Sequence, residues 1–298
     1  MPTPAHHNAL HPVVLRLAGM TFEGFSISGL ATWIIVPELD AMFDAGECPI
    51  QAVDINHVFL SHGHADHSNG LLRHWQIRQM QNRSAADYYV PAETVNGFEA
   101  RVRAEALLGD EEEHSYKEQY PNLFVLPPDR SRRSFKKGLW VETFSVEHRA
   151  PSVGYTIGRT VQKLRAEYET LSGPEIGALR KSGTVITDPV DTALVTFIGD
   201  CTGESLAANT HIFKSKVVII ECTHVDDDQR ERTAKYGHTH LRDIVDALNA
   251  VGDAPECEAV ILKHFSLKES PEHIRARVAE LIPSAWASRV HVLLPPPV

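Results

Sequence analysis

Long apolar runs are absent from this sequence, which argues against a helical membrane span, since that needs roughly 18 consecutive apolar residues. The first twenty residues, MPTPAHHNALHPVVLRLAGM, have no basic start leading into an apolar stretch, so no secretory signal is read there. Cysteine is scarce: Cys48, Cys201, Cys222 and Cys257 are scattered, with no CxxC pair. That pattern suits reduced thiols in the cytoplasm better than a disulfide framework. Positive charge is also in short supply. A net charge of -10 argues against broad nonspecific affinity for nucleic acid, because gripping phosphates requires a positive surface. The one dense basic patch is Arg130, Arg132, Arg133, Lys136 and Lys137, read as a solvated loop in preference to a phosphate-gripping one. Neither a solenoid-length repeat nor an interdomain linker is visible, so residues 1–298 are expected to form a single domain.

What is present is an ordinary globular composition, 43% hydrophobic and 23% charged over 298 residues, with an unusual seventeen histidines. Strand-like segments dominate the start: VVLRLAG, FSISGLATWIIV and MFDAG, then HVFLS (57–61) and DYYVP (87–91). Helical spacing follows in LLRHWQIRQM and over 92–108. The second half repeats this character with LWVETFSVEH, VGYTIG, ALVTFIGD, VVIIECTH, AVILKHF and RVHVLLP, and with an amphipathic helix over 239–251. Two strand-rich halves with intervening helices suggest two sheets packed face to face and covered by helices. Strand after strand ends in a histidine or an aspartate. Loops at strand ends are where a rigid scaffold presents reactive groups.

The densest cluster is His62-Gly63-His64-Ala65-Asp66-His67, directly after a buried strand. Four ligand-type residues in six positions cannot all pack as core. His62 and His64, two apart in extended chain, point the same way and can chelate one ion. Asp66 and His67, where the chain turns into a helix, face a second position. Gly63 and Ala65 are small and let the loop approach closely. Imidazole and carboxylate suit zinc, and also manganese or iron.

This HxHxDH pattern, preceded by FDAG (43–46) and followed by Gly70-Leu71, resembles the signature of the metallo-β-lactamase superfamily. The resemblance implies an αββα four-layer sandwich of two mixed sheets flanked by helices. It also implies two divalent ions, with zinc expected. His62, His64 and His148 would bind one and Asp66, His67 and His264 the other, with Asp200 bridging both. Two metals so held can carry a bridging hydroxide and stabilise the attacked centre. Finer segments resemble the ribonuclease Z branch: EHRAPSVGYTI (147–157), GDCTG (199–203), ECTH (221–224), GHTH (237–240) and LKHFS (262–266). On that branch His238 would protonate the departing alkoxide, Glu221 would orient His238, and Asp66 would share in proton transfer. His240 is at most a supporting residue.

The expected function is therefore phosphodiester hydrolysis, with RNA, including precursor transfer RNA, or a small diester as substrate. The family implies a homodimer. A β-lactam, lactone or thioester hydrolase on the same fold is the competing reading, since it would use the same hydroxide without needing an acid at position 238. A regulatory protein with a vestigial site is disfavoured because every ligand position is filled. One departure stands out. Transfer-RNA processors of this family carry a Gly/Pro-rich arm after the Gly-Tyr strand, whereas residues 158–197 here are moderately charged with one Gly-Pro, and read as a short helical substitute. Trp33, Trp75, Trp140 and Trp286 are expected in the core, the acidic stretch 110–114 in a solvated loop, and His6, His7 and His11 in a frayed terminus.

Overall fold

A computed structural model of the protein describes residues 11–108 and 120–294; the acidic stretch 110–114, His6 and His7 lie outside them. The first half builds a seven-stranded sheet whose strands lie side by side in chain order. They are β1 (Val13–Leu17), β2 (Met20–Ile27), β3 (Ala31–Val36), β4 (Ala41–Phe43), β5 (His57–Phe59), β6 (Asp87–Tyr89) and β7 (Asn122–Phe124). Strands β1 to β4 pair antiparallel and β4 to β7 parallel. The second half repeats this scheme with β8 (Arg133–Lys136), β9 (Leu139–Val146), β10 (Ser152–Leu164), β11 (Thr187–Phe197), β12 (Val217–Glu221), β13 (Ala259–Lys263) and β14 (Val290–Val292). There β8 to β11 are antiparallel and β11 to β14 parallel.

Parallel neighbours need a crossover, and helices supply it. Gly70–Met80 and Val95–Leu108 return the chain in the first half, and Gly203–Ala208, Leu241–Val251 and Pro271–Leu281 in the second. Strand alternation then sorts the apolar residues into layers. Ile34, Val36, Phe43 and Phe59 meet Tyr155, Val195, Phe197, Val217, Ile219 and Ile261 between the sheets, with the Phe43 and Phe197 rings stacked at 4.9 Å. Their neighbours Trp33, Ile35, Val58, Val218, Ile220, Val260 and Leu262 belong to the other core, with Leu71, Phe98, Ile244 and Leu248 from the helices. The architecture is the expected sandwich of two mixed sheets between helices. Trp33, Trp75, Trp140 and Trp286 are all buried. No helix among the described residues is long and apolar enough to cross a membrane.

Three readings of the sequence need correction. FSISGLATWIIV is two strands, because Gly29 turns the chain with φ +71° between β2 and β3. The basic loop is partly the edge strand β8, and its charges are mostly committed. Arg130 and Arg132 face Glu142, Arg132 also pairs with Asp191 and lies 4.2 Å over Trp140, and Lys136 reaches Asp40 at 3.1 Å. Residues 158–197 do hold a short helix, Gly173–Lys181, but it is carried on a strand ribbon that the sequence reading did not expect. Beyond Arg159, strand β10 pairs only with β11, so the two form a lone ribbon, and the helix Gly173–Lys181 between them buries no residue. The segment is an arm.

Candidate metal centre

The candidate residues gather at one end of the sandwich, at the carboxyl ends of β5, β9, β11, β12 and β13. Local hydrogen bonding explains how each is aimed. Strand β5 continues through Leu60 to Ser61, whose backbone N–H (2.7 Å) and hydroxyl (2.8 Å) both donate to the Asp44 carboxylate. The Ser61 hydroxyl oxygen accepts from Nδ1 of His62 (3.0 Å), and Asp44 accepts from Nδ1 of His67 (2.7 Å). Each ring is thereby turned so that Nε2 points inward. His148 is oriented similarly by donating from Nδ1 to the Gly237 carbonyl at 2.7 Å. His64 differs, presenting Nδ1 at 3.1 Å from His62 Nε2 and 3.3 Å from His148 Nε2.

His264 follows β13 in the left-handed region, φ 65°, which non-glycine residues adopt rarely and chiefly where the surroundings enforce it. Its Nδ1 donates to the Thr223 hydroxyl (3.1 Å), and that hydroxyl donates to Glu221 (2.6 Å). Its Nε2 then lies 3.2 Å from His67 Nε2, 3.3 Å from Asp200 and 3.5 Å from Asp66. Asp66 is fixed by the Gly29 N–H, which donates to it at 2.8 Å.

Asp200 sits at the centre, 2% exposed, with His67 at 3.3 Å and His62 at 3.9 Å. One of its oxygens, Oδ1, is buried without a hydrogen-bond partner. A buried carboxylate oxygen left so is costly unless something else coordinates it. The donor atoms of His62, His64, His148 and Asp200 all lie within 4.8 Å of one another, as do those of Asp66, His67 and His264. The residues present thus fit two divalent ions: imidazoles with engaged outer nitrogens, carboxylates, and an unsatisfied oxygen between the groups. The donor atoms of a third group, Asp200, Glu221, His238 and His264, lie equally close together. Its Glu221 is already saturated. Oε1 accepts from the N–H groups of Cys201 (2.6 Å) and Thr239 (3.1 Å), and Oε2 from the Thr223 hydroxyl and from Nδ1 of His238 (3.0 Å). Glu221 is therefore a holder of its neighbours, not an open donor.

The charges follow from this crowding. Burial works against charge on Asp66 and Asp200, yet the surrounding histidines hold both carboxyls below the ordinary range. Burial likewise disfavours the charged form of His238, but the Glu221 carboxylate outweighs it and raises this histidine. His62, buried and facing other imidazoles, is pushed down.

All seven proposed ligand positions come together, and His238 stands at their edge, 3.7 Å from Asp200 with its side chain 19% exposed. His240 does not join them. Its Nδ1 accepts from the Arg242 N–H at the start of the helix Leu241–Val251, and its Nε2 donates to the Asp226 carbonyl. Sequence reasoning gave no role to Asp44 or Thr223, although both lie in quoted segments, FDAG and ECTH. A polar residue one or two places after a buried strand is the available signal. Beside His148 a cleft of about 730 Å³ opens, lined among others by Pro91, Glu93, Leu126, Pro127 and Arg149.

The model of a family described as "Beta-lactamase superfamily domain" matches residues 37–265, a span holding every residue of the centre. The tRNase Z TRZ1 of Arabidopsis thaliana is 33% identical over 272 residues, covering 90% of this chain and 93% of that relative. Among solved structures, the metallo-beta-lactamase fold protein YhfI from Bacillus subtilis matches with a TM-score of 0.59 at 12% identity, covering 91% of this chain and 94% of that one. Zn(2+)-bound PqqB from Methylobacterium extorquens matches at 0.50 and 15% identity, covering 91% and 84%. These two share the fold.

Proposed function

Because the chain belongs to the metallo-β-lactamase superfamily and a tRNase Z relative matches it over nine-tenths of its length, we propose that this hydrolase is a phosphodiesterase that cuts RNA, with the 3′ end of precursor transfer RNA as its substrate. His62, His64, His148 and Asp200 would hold one ion, and Asp66, His67 and His264, with Asp200 beside them, would hold the other. Zinc suits this imidazole-rich set best. Such a pair supplies a nucleophile at neutral pH and positive charge for the attacked group.

The observation that carries the diester reading is His238. It lies at the mouth of the centre with Nδ1 engaged by a saturated Glu221, which leaves Nε2 for substrate. Glu221 keeps the ring oriented, and His238 delivers its proton to the departing alkoxide. A ribose oxygen is a poor leaving group and needs this proton. The leaving groups of lactams and thioesters need it less. The arm supports the transfer-RNA reading. It projects after the Gly-Tyr strand, and residues 159–191 carry five basic and five acidic residues, so it would grip by shape and not by net charge.

Metal-reconstituted wild type and His238→Ala, assayed on bis(p-nitrophenyl) phosphate and on nitrocefin, test the reading. Diester turnover by the wild type that drops ~10²–10⁴-fold in the variant, with bound metal retained, is expected for loss of a general acid. Robust nitrocefin turnover indifferent to His238 would replace the diesterase by an acyl hydrolase. Cleavage of precursor transfer RNA by the wild type, lost when residues 167–185 are replaced by a short turn, tests the substrate.

A further inference from the structure

Arg149 follows the candidate ligand His148, and its guanidinium carbon lies 4.9 Å from the ring centroid of Tyr236. Arg232 approaches the same ring at 5.9 Å. All three side chains are exposed, and neither arginine has a carboxylate partner among the described residues. This is unlike Arg130, Arg132, Arg165, Arg230 and Arg242, each of which is paired. The group is tied to the metal centre through Gly237. The Gly237 carbonyl accepts from His148, and its backbone turns with φ +77°. A Cβ there would sit 3.3 Å from both Arg149 Cγ and His148 Nδ1, tight contacts added to a backbone conformation that favours glycine, so this approach of the Tyr236 segment suits glycine best. The next residue is His238.

We propose that Arg149, Tyr236 and Arg232 form a stacking wall that takes a nucleobase flanking the scissile phosphate, and so set the preference for nucleic-acid diesters over small ones. The inference rests on the diesterase reading. A phenol ring backed by a guanidinium offers a flat π face, and every base has one, so stacking favours a nucleotide without selecting its sequence. The two unpaired guanidinium groups add attraction for the neighbouring phosphate in a molecule whose net charge is -10. The wall stands on the His148 and His238 side of the centre, where a base attached to the leaving oxygen would lie.

The test compares a short single-stranded oligonucleotide with the same strand carrying abasic residues on both sides of the scissile phosphate, using metal-loaded enzyme. Tyr236→Ala is expected to raise KM for the intact strand roughly tenfold, the scale of one lost base stack, and to change KM for the abasic strand far less. Tyr236→Phe should restore the intact-strand KM, and Arg149→Lys, which keeps the charge but loses the plane, should fall between. Equal effects on both strands, or none, would overturn the wall while leaving the diesterase reading in place. No hydrolysis of any diester by the wild type would overturn both. Tyr236 is exposed, so its variants are expected to fold, which thermal unfolding checks.

Discussion

In the first half of the molecule His62 leans on Ser61 and Ser61 on Asp44; in the second, His264 leans on Thr223 and Thr223 on Glu221. The two relays are alike: an imidazole N–H, a hydroxyl, a buried carboxylate. The deployment differs. The first half presents His62, His64, Asp66 and His67 in one loop after β5, with His67 directly and His62 through Ser61 referred to the single carboxylate of Asp44. The second half spreads His148, Asp200 and His264 over the ends of three strands, and each of its two histidines is aimed by its own partner, Gly237 and Thr223. One half concentrates its donors, and the other depends on its sheet for their registration.

The sharpest way to break this comparison is at the residue where the halves meet. Asp200→Ala should lower bound metal from two ions per chain to at most one, measured by elemental analysis after dialysis. Diester turnover should fall further than the ~10²-fold lower limit expected for loss of a general acid. Retention of both ions would mean that the halves bind independently. Next in size is Asp44→Ala, which removes the partner of both His67 and Ser61. Metal affinity should fall ~10–100-fold, as for other outer partners of metal ligands, and more than in Thr223→Val, which loosens His264 alone. Titration with a competing chelator reads both, and equal losses would erase the distinction between the halves.

A smaller effect belongs to the outer layer of the first half. His74 on the helix Gly70–Met80 is fully buried, donating from Nε2 to the Ala52 carbonyl (2.9 Å) and accepting at Nδ1 from the Tyr88 hydroxyl (2.8 Å). Burial pushes its pKa from 6.5 down to about 4. Between those values the unfolded chain binds the proton and the folded one does not, so this contribution is complete above pH ~6.5 and is lost as pH falls toward 4. Urea unfolding from pH 7 to 4.5 should show a shallower acid decline in His74→Gln than in wild type. The smallest expected effect is on stability when the arm is shortened. Replacing 167–185 by a turn should shift unfolding free energy by no more than ~0.6 kcal/mol, the scale of a twofold change in loop length. A larger loss would mean that the arm is part of the body of the second half.

The same contrast decides what could be read before the structure. The loop of the first half was legible because four ligand-type residues in six positions have no bland packing explanation. His148, Asp200 and His264 are single residues at strand ends, where structural histidines and aspartates are common, and only the family resemblance singled them out. Asp44, Ser61 and Thr223 act through other side chains, and nothing in their spacing says so. The arm is hard to read because Arg159–Lys163 is polar except for an exposed Val161, as suits a ribbon in solvent, and so lacks the alternation that marks a half-buried strand.

The left-handed residue that follows β13 also bears on the order of events during synthesis. The loop after β5 emerges from the ribosome with four donors, but the relay to His264 and the central Asp200 are made only when β11, β12 and β13 have been added beside it. A nascent chain holding the first sheet alone has Asp44 and Asp66 beside His67 but lacks the central Asp200 and His264. Assembly of both donor groups is therefore a late event, complete only once the chain has been made and folded through β13 and His264.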